Sequence, residues 1–220
     1  MAKPLLFIGN KNYSSWSLRP FMALAQADIP FDEKLIHFGE PAFGKAVHRV
    51  SKAGLVPVLK HNGLVIWDTL AILEYIAETW PKKNLLPKSK AARAHARSIC
   101  AEMHAGFSGL RSACPMNIRR PPKPAPVPLS EAVKKDIARI EQIWTDTRKT
   151  YGKGGPFLFG KFTIADAMYA PVASRMETFE IKLNKAATAY AQNLLNSKAY
   201  KAWKEAALKE PWIYAEDEVD

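Results

Sequence analysis

Three hydroxyls crowd into four positions in the run Asn12-Tyr13-Ser14-Ser15-Trp16-Ser17. The run follows a short apolar stretch, Leu5–Ile8, and opens a segment with helical spacing at Leu18, Phe21, Met22 and Ala25. A helix N-terminus carries unpaired N–H groups and partial positive charge. Serine hydroxyls there can donate hydrogen bonds to an anion. They can also simply cap the helix, and Ser17 is a natural cap for a helix starting at Leu18. One serine suffices for capping, so local sequence leaves both roles open. Gly54-Leu55-Val56-Pro57-Val58-Leu59 sets a proline at the start of a strand, where a cis peptide is possible but uncommon. Asp68-Thr69 places a carboxylate and a hydroxyl at the start of a third helix, again as ligands or as a cap.

Other chemistries lack their residues. The five histidines, at 37, 48, 61, 95 and 104, show no HxxxH spacing, and no metal is expected. The two cysteines, Cys100 and Cys114, form no CxxC and cannot build a disulfide framework. There is no GxGxxG, no P-loop and no GxSxG elbow.

The elements that must position these groups change character along the chain. Leu5–Ile8, then a helix over 18–27, a strand over 31–38 and a short helix over 41–50 begin the reading. Val56–Lys60 and Leu64–Trp67 flank Asn62-Gly63, a strong hairpin signal, because both residues tolerate positive φ. Thr69–Trp80 closes the unit as a helix. The order β-α-β-α-β-β-α requires one parallel strand pair with a right-handed crossover and an antiparallel hairpin. Pro81–Pro87 reads as a linker. Beyond it the strand signals vanish and four helical stripes appear, for example Val133, Ile137, Ile140 and Trp144. Six prolines between 115 and 128 forbid helix there and suggest an extended surface segment. Thr163 and Asp166 have capping-box spacing, a structural rather than catalytic role. The acidic end, Glu216–Asp220, reads as frayed.

The 220 residues carry a net charge of +11, and 48% are hydrophobic. The basic excess lies in residues 82–153, with 16 Lys and Arg against five Asp and Glu. It is read as a solvated helical face, with anion or nucleic-acid attraction as the alternative. No apolar run approaches the roughly 18–20 residues of a membrane span. Leu5–Ile8 is too short for a signal peptide core. A reduced, cytoplasmic location is expected.

The ordered set of serine motif, Val-Pro, Asp-Thr, helical second half and the Phe159–Asp166 capping segment resembles the glutathione transferase family over essentially the whole chain. The resemblance implies a thioredoxin-like α/β N-terminal domain over 1–80, a linker over 81–87 and an all-helical C-terminal domain over 88–220. It implies glutathione as co-substrate and a homodimer, with no membrane or nucleic-acid partner. Ser14 would activate the thiol, with Ser15 and Ser17 as rivals. Val56, held by a cis Pro57, would pair with the cysteinyl backbone. Asp68 and Thr69 would take the γ-glutamyl end, where the family more often has Glu-Ser. Ser14-Ser15-Trp16-Ser17 is most similar to the zeta class, with Trp16 where that class has cysteine and Leu55 where it favours glutamine. The implied reaction is attack of the thiolate on small electrophiles in a pocket between the domains. Tyr13, Phe107, Arg111 and Met116 are candidate walls, and Arg111, Arg119, Arg120 and Arg175 candidate cations. The alternatives are a zeta-like cis–trans isomerase of the maleylacetoacetate type and a non-catalytic binding protein, the latter suggested by the basic run Arg119–Lys123.

Overall fold

The computed structural model describes residues 2–39 and 41–219. Strand β1 (Leu5–Ile8) is central, with β2 (Asp32–Leu35) parallel to it on one side and β3 (Val58–His61) antiparallel on the other. Strand β4 (Leu64–Ile66) completes the order β2-β1-β3-β4. Asn62 and Gly63 both have positive φ, as the two-residue turn demands. Helix α1 (Ser15–Gln26) crosses from β1 to β2, α2 (Phe43–His48) follows β2, and α3 (Thr69–Thr79) follows the hairpin. The order of elements predicts this parallel pair with its antiparallel hairpin, and it is the thioredoxin-like arrangement that the resemblance implies.

The remainder is helical: α4 (Lys90–Ala105), α5 (Ser108–Ala113), α6 (Glu131–Tyr151), α7 (Ile164–Thr178), α8 (Lys185–Leu195) and α9 (Lys198–Leu208). Helix α7 is buried along nearly its whole length. Asp166 completes its capping box: the carboxylate accepts from Thr163 N (2.8 Å), Thr163 Oγ1 (2.9 Å), Leu158 N (2.9 Å) and Tyr190 Oη (3.1 Å). One apolar core runs through both halves, from Leu6 and Ile8 on β1 through Leu18 and Met22 on α1 to Met168, Val172 and Trp203. Residues 81–83 form a 3₁₀ turn, and Leu85 beyond it is buried, its carbonyl accepting from Ile164 N (2.9 Å).

Two expectations need correction. The proline-rich segment is not wholly on the surface. Its start, Pro115–Ile118, is buried, because it pairs with the serine motif: Ile118 N donates to Asn12 O (3.2 Å) and Arg119 N to Asn12 Oδ1 (2.8 Å). The acidic end is docked rather than frayed. Glu218 accepts from Tyr13 Oη (2.6 Å) and from Asn117 Nδ2 (2.9 Å). Asp220 lies outside the described residues.

Candidate active site

Helix α1 starts three residues earlier than its apolar spacing suggests. Its N-cap is Ser14, whose Oγ accepts from Ser17 N at 3.3 Å. Ser17, read as the cap, is instead inside the first turn and completely buried. The reason lies across the strand end, where Gly9 N donates to Ser17 Oγ (3.1 Å). Ser14 Oγ and Ser17 Oγ are 2.7 Å apart and hydrogen-bonded. Either hydroxyl of such a pair can be the donor. In the geometry observed Ser14 Oγ donates to Ser17 Oγ, and each oxygen also accepts an amide proton, Ser14 from Ser17 N and Ser17 from Gly9 N. For Ser14 to donate toward the cavity, its hydroxyl must rotate and Ser17 must take over as donor within the pair.

Ser14 and Ser15 line a cavity of about 430 Å³ between the two halves. Across it stand Val56, Arg111, Met116 and Arg175. Gly9 belongs to this geometry too: a Cβ there would sit 2.3 Å from the ring of Phe38, another wall of the cavity. A second hollow of about 330 Å³ adjoins the first and shares Trp16, Leu55, Val56 and Arg111 with it. Pro57, Asp68, Thr69 and His104 line this second hollow, and the Val56–Pro57 peptide is cis. The six residues singled out from sequence, Ser14, Ser15, Val56, Pro57, Asp68 and Thr69, are thus gathered around two connected hollows. Ser17 lines neither.

Thr69 has a local explanation that periodicity does not show. Pro20 lies within α1 and has no N–H to give the carbonyl four residues back. That carbonyl, Trp16 O, accepts from Thr69 Oγ1 at 3.1 Å instead. The missing helix bond therefore ties α3 to the serine motif. Asp68 caps α3 by accepting from Leu70 N (2.9 Å), and its carboxylate lies 3.6 Å from His104 Nδ1.

Trp16 fills the space between the halves. The guanidinium groups of Arg19 and Arg111 lie 4.2 and 4.7 Å from its ring centre, and His104 meets it edge-on at 5.4 Å. Burial pulls the Arg19 guanidinium well below its usual range, with Arg175 and Arg111 adding to the effect. Arg175 donates to Cys114 O (2.8 Å) and Pro171 O (3.3 Å). Burial, and then Arg111, push it down to about 10, so it remains a cation at neutral pH.

Of the other proposed walls and cations, Tyr13, Arg111, Met116 and Arg175 line the larger cavity, while Phe107, Arg119 and Arg120 do not. Phe107 is packed in the core. Arg119 donates to Glu210 O (2.6 Å), Trp212 O (2.5 Å) and Tyr13 Oη (2.7 Å), which holds the C-terminal tail. Arg120 donates to Lys123 O (2.7 Å), Thr178 O (2.9 Å) and Pro124 O (2.9 Å), which shapes the proline-rich loop. The sequence reading missed His104, Tyr214 and Asp217, which also face these hollows. No local pattern marks them. Among the described residues, no group of three His, Cys, Asp or Glu could hold a metal ion.

Known families match both halves. Residues 13–79 match the glutathione S-transferase N-terminal domain and residues 118–205 the C-terminal domain. The chain belongs to the glutathione S-transferase family. Among curated relatives, this transferase is 28% identical to the maleylacetoacetate isomerase of Rattus norvegicus over 83% of its own length and 82% of the relative's. It is 33% identical to a probable maleylacetoacetate isomerase of Caenorhabditis elegans, but over only half of each chain. Among solved structures, it shares its fold with a Burkholderia glutathione transferase homologue crystallised with bound glutathione. The TM-score is 0.71 at 19% identity, over 94% of this chain and 98% of that one. Glutathione transferase F2 of Populus trichocarpa gives the same TM-score at 16% identity, over 93% and 98%.

Proposed function

We propose that this glutathione S-transferase binds glutathione across the smaller hollow and attacks small electrophiles held in the larger one. The N-terminal region, 1–80, grips the tripeptide, and 88–220 supplies the electrophile's wall, with 81–87 joining them. The observation that carries the reading is that Ser14 and Ser15, at the N-terminus of α1, line the same cavity as Val56, Arg111 and Arg175.

Val56 offers backbone polar groups to the cysteinyl part of glutathione, as a short strand addition. The Asp68 carboxylate takes the γ-glutamyl ammonium. Thr69 has given its hydroxyl proton to Trp16 O, so its contribution is the amide at the first turn of α3. The sulfur then lies at the mouth of α1. Ser14 donates its hydrogen bond to the thiolate, and the helix N-terminus adds favourable potential. In conjugation of an aryl halide, the sulfur forms a C–S bond, the halide leaves, and the thiol proton passes to solvent.

A second reading is a glutathione-dependent cis–trans isomerase, in which the sulfur adds and leaves again. The similarity to maleylacetoacetate isomerases and the paired arginines favour it. For the non-catalytic reading, which the basic stretch of residues 82–153 also motivates, Arg119 and Arg120 offer less, because they donate to carbonyls within the fold. A homodimer fits the exposed apolar residues of the hairpin, Leu64 at 52% and Val65 at 39% exposure. The two free, buried thiols suit a reducing cytoplasm.

Calorimetric titration with glutathione, followed by assay with 1-chloro-2,4-dinitrobenzene and with maleylacetone, tests this. Binding with turnover of the aryl halide supports conjugation. Turnover of maleylacetone alone selects the isomerase. A folded protein that ignores millimolar glutathione refutes both.

A further inference from the structure

The C-terminal tail is part of the electrophile cavity, and it brings a charge there. After α9 the chain returns across the serine motif. Glu210 accepts from Lys11 N (2.8 Å) and Asn12 N (3.0 Å), and Arg119 holds Trp212 O. Tyr214 packs against the rings of Tyr13 (6.1 Å) and Phe38 (5.5 Å). Glu218 is tied to Tyr13 and Asn117, and Asn117 Oδ1 in turn accepts from Asn12 Nδ2 (2.8 Å). This clasp fixes the tail on both sides of Asp217. The Asp217 side chain lines the cavity together with Ser14, Arg111 and Arg175. Among the described residues, it is the one acidic side chain in that lining. Asp217 and Arg175 attract each other, and both line the cavity that an electrophile would enter.

We propose that Asp217 sets the charge of the electrophile this cavity accepts: ionised, it opposes a carboxylate-bearing electrophile that Arg111 and Arg175 would otherwise draw in. The proposal rests on the transferase reading above and names the residue that tunes its substrate class. The chemistry is electrostatic. With Asp217 ionised, the three charged groups lining the cavity sum to one positive charge. With Asp217 neutral, they sum to two. An electrophile carrying a carboxylate feels that difference, and a neutral electrophile of the same shape does not.

The groups around Asp217 make its switching accessible. Burial pushes its carboxyl up to about 6, Arg175 on α7 opposes this, and Glu216 and Glu218 on its own segment add to it. Glu216 accepts from Tyr214 Oη (2.5 Å) and Glu218 from Tyr13 Oη, so both neighbours are held in place. Asp217 therefore takes up its proton within the mildly acidic range, while Arg111 on α5 and Arg175 on α7 stay charged.

The test compares 4-chloro-3-nitrobenzoate with 4-chloro-3-nitrobenzamide as electrophiles, from pH 5.5 to 7.5. Ionisation of the glutathione thiol affects both substrates alike, so it cancels in the ratio of their kcat/KM values. The benzoate remains ionised throughout. In the wild-type enzyme the benzoate-to-benzamide ratio is expected to rise as pH falls, by about five- to tenfold, the size of one charge acting across a cavity in a medium of intermediate dielectric. In Asp217→Asn the ratio is expected to be high already at pH 7.5 and flat with pH. A wild-type ratio that does not change with pH overturns the proposal, even if the variant fails to fold. So does a variant whose profile matches the wild type. If neither substrate is conjugated at any pH, the transferase reading fails instead.

Discussion

Replacing Ser14 with alanine removes the hydroxyl proposed to face the sulfur and leaves the Ser17–Gly9 contact behind it in place. A hydrogen bond to a charged group is worth about 1.5–3 kcal/mol. At about 1.4 kcal/mol per pKa unit, losing it should raise the pKa of bound glutathione by about 1–2 units. The rate effect is much smaller. If the bound thiol lies about two units below its free value of ~8.5, a rise of about 1.5 units cuts the thiolate fraction at pH 7 roughly eightfold. The more basic thiolate is about fivefold more nucleophilic at a Brønsted slope near 0.45. Turnover at neutral pH should therefore fall only about twofold, which makes it a poor assay. The discriminating measurement is ultraviolet titration of the enzyme-bound thiolate, with Ser15→Ala as the comparison. Alanine at 14 also removes the helix cap, at a cost of about 1 kcal/mol, which a melting curve reports separately. A thiol pKa that stays put in Ser14→Ala, or moves further in Ser15→Ala, would refute the assignment.

Two further expectations concern the scaffold. Asp166→Ala strands four donors in the interior, so urea unfolding should show a loss of roughly 3 kcal/mol or more, while the folded fraction keeps its glutathione affinity. Leu64→Lys places a charge on the exposed hairpin, away from both hollows, and sedimentation should then show a monomer where the wild type shows a dimer. A wild-type monomer would remove the dimer from the proposal.

Some of the site was legible because its causes are local. Asn62-Gly63 makes its turn with its own backbone freedom, and Thr163 and Asp166 find each other three residues apart. The gathering of Ser14, Val56, Pro57, Asp68 and Thr69 followed from the resemblance rather than from any one motif, since each motif alone also reads as capping or turn chemistry. The choice of cap between Ser14 and Ser17 was not legible. It depends on Gly9 N, eight residues upstream, which claims the Ser17 hydroxyl. The destination of the Thr69 proton was equally hidden, because it depends on the carbonyl that Pro20 leaves vacant on a neighbouring helix.

Charge misled most where packing decides solvation. Arg119-Arg120 looks like a surface patch in one dimension, yet each guanidinium has several donors to satisfy, and carbonyls on distant segments meet them. The acidic tail looks solvated for the same reason, until Tyr13 and Asn117 supply donors for Glu218. By itself the chain's order of residues determined the strand and helix succession of the first half, the turn and the capping motifs, because those depend on neighbours within a few positions. In the second half four helical stripes stood for six helices, since Phe107 in the left-handed region splits the first stripe into α4 and α5 and α8 showed no stripe of its own. Only the tertiary structure decided which serines line the cavity and which arginines face it. It also decided that Asp217 is carried back to the cavity between the halves, since hydrogen-bond partners from remote segments become available only when the chain is folded.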